Sequence, residues 1–421
     1  MLRLGATFPQ KPCLLENLNM KRTILPILFF ALCSFGSWAQ SLSKEDFVQD
    51  LEFLKKTLPE KHTNLFAKID RAQFENKVDQ ILMRSNSLDW DRFVAELFKL
   101  TVSIGDEHTF IEVDFTKTLP IQFEVFKEGL FVTGIDSAHS SLLNTKLESI
   151  NGHPVSEVIT RFKEIILHEN PSYFNDHLVH HLNNPVLLKG LGLIDDDSKA
   201  IFVFSTNKEQ TTKISLASVA GNNAAKLPLV RSGQSLLSKK KAGNYWFEYS
   251  ADKKILYFNY SQCREMPNYP FAKFNDELFA SINEHKPEKI VLDLRYNSGG
   301  NSGILEPFTE QIKQSYLNQK NKFFVLIGQT TFSSAVMNAV DLKRNLNITL
   351  IGQPSAGLIN GYGEVRGFAL PKSKIVVAYS TRYWERWKGK KGPLKPDVAV
   401  DYSIKNYIAG QDEALMQVEK R

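Results

Sequence analysis

Lys289-Ile290-Val291-Leu292-Asp293-Leu294-Arg295-Tyr296-Asn297-Ser298-Gly299-Gly300-Asn301 carries an unbroken apolar run into a glycine-bearing loop. It is one beat of a longer alternation. The pattern reads strand Ile255 to Tyr260, helix Phe271 to Glu284, strand Lys289 to Leu294, helix Ile304 to Gln314, strand Phe323 to Ile327, helix Ser334 to Leu346 and strand Ile348 to Ile351. Short apolar strands alternating with helices of this length predict an α/β core, a parallel sheet covered on both faces. In such sheets functional groups gather where the carboxyl ends of strands open onto helix N-termini. Two loops hold that position here, Tyr296 to Asn301 and Thr330-Thr331-Phe332-Ser333-Ser334.

Upstream the texture differs. Ser43-Lys44-Glu45-Asp46 resembles a capping box, and Phe47, Leu51, Leu54 and Leu58 follow at helical spacing. Phe74, Val78 and Ile81 mark a second helix, and Trp90, Val94, Leu97 and Thr101 a third that ends near Gly105. Residues 40–116 are therefore expected to form a small helical domain. From Leu119 short strands dominate: Ile121 to Phe126, Leu130 to Ile135 and Lys146 to Ile150, then a helix Val155 to Phe162 and strands Ala200 to Ser205 and Thr212 to Leu216. A β-rich domain is expected over 117–220, a linker near Asn222 to Lys241, the α/β core over 240–405, and a tail over 406–421.

The first residues read as an address. After Met20 come Lys21-Arg22, an apolar run from Ile24 to Phe35, and Ser37-Trp38-Ala39, the order of a signal peptide cleaved after Ala39, so residues 1–39 are expected to be lost on export to the periplasm or the cell exterior. Of Cys13, Cys33 and Cys263 only the last then remains, and no intramolecular disulfide can form. The loss of four basic residues and one acidic residue takes the net charge from +6 to +3, which gives no reason to expect a nucleic-acid partner. Lys239-Lys240-Lys241 and the run from Lys388 to Lys391 read as solvated loops. A chain with 43% hydrophobic and 23% charged residues can build folded cores, and no membrane contact is expected once the leader is removed.

Ser333 opens a helix directly after a buried strand, where free amides and positive potential favour a developing oxyanion. A plain N-cap fits the same pattern, and Ser334 is an alternative nucleophile. Gly299 and Gly300, without side chains, let backbone amides approach a carbonyl closely. The base best placed to serve the serine is His108, in Gly105-Asp106-Glu107-His108-Thr109 at a break between helix and strand. His168, His177, His180 and His181 lie in a polar stretch read as irregular. His177 with His180-His181 invites a metal reading, but no nearby cysteine or carboxylate pattern completes a ligand set, so no metal or organic cofactor is expected.

In combination Asp293 to Gly300, Thr331-Phe332-Ser333-Ser334-Ala335 and Gly352-Gln353-Pro354-Ser355-Ala356-Gly357 resemble the core signature of the C-terminal processing (tail-specific) and tricorn-like serine peptidases, over roughly Lys253 to Asp401. The resemblance implies a crotonase-like α/β core with Ser333 as nucleophile and an oxyanion hole from the Gly299-Gly300 loop and the Ser334 amide. Leu119 to Phe162, with Leu147 to Val155, is similar to the family's PDZ-like module, which implies capture of an extended peptide by strand addition. The chain departs from the family at Leu358, where the processing branch has its lysine base. His108 then becomes the expected base, as in the tricorn-like branch, with Glu107, Glu385 and Asp397 as open candidates for its orienting group.

The expectation is an exported serine peptidase acting on peptides or unfolded proteins through Ser333, His108 and a backbone oxyanion hole. A binding protein for peptides or hydrophobic ligands on the same scaffold is the alternative. An esterase using the same groups would share the chemistry as far as the acyl-enzyme.

Overall fold

The computed structural model describes residues 42–206, 210–221, 226–233 and 236–421; the expected signal peptide lies outside them. Three helices come first: α1 (Lys44–Lys61), α2 (Arg71–Arg84) and α3 (Trp90–Ile104). Each starts on a side chain that accepts an early helix amide, Ser43 and Asp70 in full capping boxes and Asp89 alone. Their apolar stripes interlock, with the rings of Phe47 and Phe93 stacked at 4.2 Å. Gly105, at φ 76°, ends α3 in a left-handed cap and turns the chain toward His108.

A seven-stranded sheet follows. Its order is Val230–Arg231, Gly129–Ile135, Lys146–Ile150, Lys199–Ser205, Thr211–Ala217, with Ile121–Phe126 also paired to Gly129–Ile135 and His153–Pro154 to Lys146–Ile150. The stretch expected as a linker thus contributes Val230–Arg231 to this sheet. Within the same stretch Lys239 is no free surface charge: its ammonium meets Glu124 at 2.8 Å and the Tyr407 hydroxyl at 2.9 Å. Helix α4 (Val155–Phe162) packs on the sheet, and α5 (Pro171–His181) and α6 (Pro185–Gly190) follow. His177, His180 and His181 are therefore helical, not irregular, while His168 lies in the irregular segment before α5. Asn170 caps α5 and Pro171 fills its first turn, and these local signals outweigh the polar composition that argued for a loop.

The second sheet has six strands in the order Tyr245–Ser250, Ile255–Tyr260, Lys289–Asp293, Phe323–Ile327, Ile348–Gly352, Val398–Ala399; the first pair is antiparallel and the rest are parallel. Successive residues point to opposite faces. Leu256, Ile290, Leu292 and Val325 meet α7 (Phe271–His285), α8 (Glu306–Lys313) and α9 (Ser334–Asn345). Tyr257, Val291, Phe324 and Ile351 meet Ala414 and Val418. The latter two belong to α11 (Glu413–Glu419), which follows the short α10 (Ile404–Ile408). Burial on both faces is why these strands read as unbroken apolar runs.

A third sheet joins the two ends of the molecule. The strand Phe110–Glu112, two residues past His108, pairs with Val376–Glu385, which forms a long hairpin with Asn360–Ala369. This pairing carries the His108 turn from the N-terminal helices to the rim of the six-stranded sheet.

Candidate active site

Three loops at the carboxyl ends of Lys289–Asp293, Phe323–Ile327 and Ile348–Gly352 are laced by backbone bonds. The Phe332 amide donates to the Asn297 carbonyl (3.0 Å), and the Ala356 and Gly357 amides donate to the Thr331 carbonyl (2.9 and 3.2 Å). The Thr331 hydroxyl adds a bond to the Leu294 carbonyl (2.8 Å). This lacing fixes Ser333 in an unusual backbone, φ 50° and ψ −123°, costly for any residue with a Cβ. Ser333 occupies the N-cap position of α9, yet its hydroxyl bonds no helix amide. Ser334 differs: its hydroxyl donates to the Gly300 carbonyl at 2.6 Å.

Both glycines of the facing loop have positive φ, 108° at Gly299 and 131° at Gly300. A Cβ on Gly299 would sit 2.8 Å from the Ser333 Cβ, and one on Gly300 2.2 Å from the Cys263 carbonyl oxygen, so the loop closes this tightly on the serine only with glycine at both positions. The Gly299 amide is already committed to Asn297 Oδ1 (2.9 Å). The Gly300 amide has no acceptor among the described residues, and Ser334 supplies the first amide of α9.

His108 reaches the same cleft, a space of about 640 Å³ bordered also by Ser333, Ser334, Gly300, Leu358 and Tyr362. Its ring stacks on Phe332 (centroids 4.6 Å apart, planes at 19°) and lies near the Tyr362 backbone carbonyl. Nε2 is buried with no hydrogen-bond partner among the described residues. Burial pushes the imidazole pKa below its ordinary value, against the opposing pull of the Asp106 carboxylate and the Tyr362 carbonyl, so the ring is neutral near pH 7. A neutral ring whose protonated nitrogen faces a carbonyl presents the lone pair of the other.

The turn that holds His108 is built on Asp106, to which the sequence reading gave no role. This buried carboxylate accepts the His108 amide (3.1 Å), the Thr109 and Ser380 hydroxyls (2.6 Å each) and His62 Nε2 (3.1 Å). An aspartate two residues before the amide it binds is a readable turn signal. The Tyr362 backbone group left no trace in the side-chain pattern.

None of the three candidates for orienting His108 bonds its ring. Asp397 pairs with Lys343 (2.6 Å) and takes the Leu350 amide (2.8 Å), and Glu385 is exposed at the end of its strand. Glu107 does border the cleft, but its Oε2 accepts the Leu358 amide (3.2 Å). Burial pushes the Glu107 carboxyl up to about 8 despite that bond. Because its folded pKa lies above the unfolded 4.5, the stability it contributes is complete below 4.5 and drains away as pH rises through about 8. Glu107→Gln, which lacks this titration, is expected to melt progressively higher than wild type between pH 5 and 9. Melting temperatures that move in parallel across that range would refute it.

Among the described residues no group of three or more His, Cys, Asp or Glu is placed to hold a metal ion, and no helix is long and apolar enough to cross a membrane.

No family model and no curated protein matches the sequence. Among solved structures the chain is similar to mature CPAF (TM-score 0.65, 13% identity over 90% of this chain and 97% of that one). It is also similar to mature CPAF complexed with lactacystin (TM-score 0.62, 12% identity, 90% and 97%). At this identity the likeness is one of fold, and it spans nearly the whole of both chains.

Proposed function

We propose that the protein is an exported serine peptidase of the tricorn-like kind, with a crotonase-like core over 240–405 and a PDZ-like module over 117–220. Ser333 attacks a peptide carbonyl while His108 Nε2 takes its proton and returns it to the leaving amine. The amides of Gly300 and Ser334 receive the oxyanion. The observation that carries this reading is that one cleft holds a serine on a strained turn and a histidine of depressed pKa, the serine hydroxyl and the histidine's buried Nε2 both without a hydrogen bond among the described residues. Ser334 suits the nucleophile role less well because its hydroxyl is spent on Gly300. The Gly299 amide, spent on Asn297, is likewise the poorer oxyanion donor. A groove between Ile121–Phe126 and α5, bordered by Gln122, Glu124, Asp176 and Val179, supports peptide capture by the PDZ-like module. The CPAF-like fold agrees with this architecture.

The test is labelling of the chain from Gln40 onward by a fluorophosphonate. Wild type should label, and Ser333→Ala and His108→Ala should not; a folded wild type that stays unlabelled would end the peptidase reading. The base must be neutral to act, and its pKa is depressed, so the acid limb of the labelling rate should fall below the ordinary histidine value of about 6.5. A limb at or above that value would remove His108 from the role.

A further inference from the structure

Behind the histidine lies a second cavity, of about 330 Å³, to which neither the expected chemistry nor the peptide groove assigns a use. Its walls are apolar: Phe98 and Val102 of α3, Phe110 of the strand after His108, and Ile166 and Leu167 from the turn after α4. Phe332 completes them, the same ring that lies flat on His108. Glu107 borders both this cavity and the catalytic cleft.

Polar residues border it too: Thr101, Glu107, Thr109, Tyr173, His177 and His181. His177 spends Nδ1 on the Tyr173 carbonyl (2.9 Å), and among the described residues neither its Nε2 nor the His181 ring makes a hydrogen bond. Glu107 has given Oε2 to Leu358, and Oε1 has no partner among the described residues. The pocket opens to solvent on one side, and an engineered apolar cavity of ~150 Å³ already takes up benzene. Roughly twice that volume suits a fused pair of rings. These groups favour a neutral guest. Burial lowers the pKa of both histidines, with His181 pushed down to about 3, and raises that of Glu107 to about 8. A charged group would therefore be desolvated without a counter-charge. A hydroxyl or N–H group would find acceptors and a donor.

We propose that this cavity binds a compact, neutral, bicyclic or similarly sized apolar molecule bearing one hydroxyl or N–H group. Through Phe332 its occupancy shifts the position of His108; this second half rests on the peptidase reading. The probe is 2-naphthol, titrated calorimetrically into the chain from Gln40 onward. One saturable site is expected, shared by Ser333→Ala. The anionic and slightly larger analogue 2-naphthoate should bind at least tenfold more weakly. Val102→Phe and Leu167→Phe, each of which fills the space from a different wall, should weaken naphthol binding at least tenfold without lowering the melting temperature. No saturable binding to wild type, or equal binding by both filled variants, overturns the site. If saturating naphthol leaves the fluorophosphonate labelling rate unchanged, the coupling to His108 is overturned. Naphthol bound to a chain that never labels would sink the peptidase reading and leave the cavity assignment standing.

Discussion

Ser333→Gly is expected to yield a chain more stable than wild type, by about 1 kcal/mol, that has lost at least about five orders of magnitude in kcat/KM. The stability half follows from the backbone. A Cβ at φ 50° and ψ −123° strains residue 333 by roughly 1–3 kcal/mol, and glycine removes that strain while returning roughly 0.5–1 kcal/mol of it as added freedom of the unfolded chain. An ordinary N-cap serine behaves oppositely: glycine costs a few tenths and alanine about 1 kcal/mol, because a cap bond is lost. Here no cap bond exists to lose. Ser333→Ala should therefore match wild type in stability while being as inactive as Ser333→Gly. Urea denaturation and labelling of the same three preparations read both halves. If glycine destabilises, residue 333 is a cap and not a strained nucleophile. If glycine stabilises and labelling persists, the strain is real and the nucleophile lies elsewhere.

How far this arrangement could be read beforehand depends on what kind of signal each part leaves. The parallel core was legible because Phe323–Ile327 and its neighbours are buried on both faces and so lack polar alternation. The helix Val155–Phe162 and the capping box at Ser43 were legible because their causes are local. Ser333, Ser334 and the Gly299-Gly300 loop followed from their place after apolar strands. The hairpin Asn360–Ala369 with Val376–Glu385 was missed. Much of it is exposed, glycines at 361, 363 and 367 interrupt it, and it presents no clean period of two. That hairpin supplies the Tyr362 backbone carbonyl that lies near the His108 ring, so the orienting partner was sought among carboxylates. The edge strand Tyr245–Ser250 escaped for a related reason: only its first two residues are fully buried. Asp106 and its partner Thr109 lay within one short motif, but two further partners, His62 and Ser380, come from distant elements that only the folded chain unites.

That union makes Asp106→Ala the second large effect: a loss of about 3–5 kcal/mol of stability, with labelling slowed by roughly a hundredfold even where the variant remains folded. His62 accepts the Asn64 amide at Nδ1 (2.9 Å), so its proton sits on Nε2 and points at the carboxylate as a neutral donor. Removing the carboxylate strands this N–H, two hydroxyls and the His108 amide in a buried place, and each stranded donor costs roughly 1–3 kcal/mol unless it finds water. The His108 turn, no longer tied to α1 and the hairpin, loses the position that aims Nε2 into the cleft. Asp106→Asn keeps one acceptor and should fall between the two. The pH profile gives an independent check. Burial alone would raise the Asp106 pKa, but the bonds from His62, Ser380, Thr109 and the His108 amide bring it down to about 2 from 3.8. A group with a depressed folded pKa stabilises above its unfolded value and loses that contribution as pH falls through the folded one, here about 2 kcal/mol lost between pH 4 and 2. The alanine variant has no such contribution to lose, so the stability gap between it and wild type should narrow over that interval. A variant within 1 kcal/mol of wild type at pH 7, or a gap that does not narrow in acid, would mean that the four donors find other acceptors and that the turn is held by something other than Asp106.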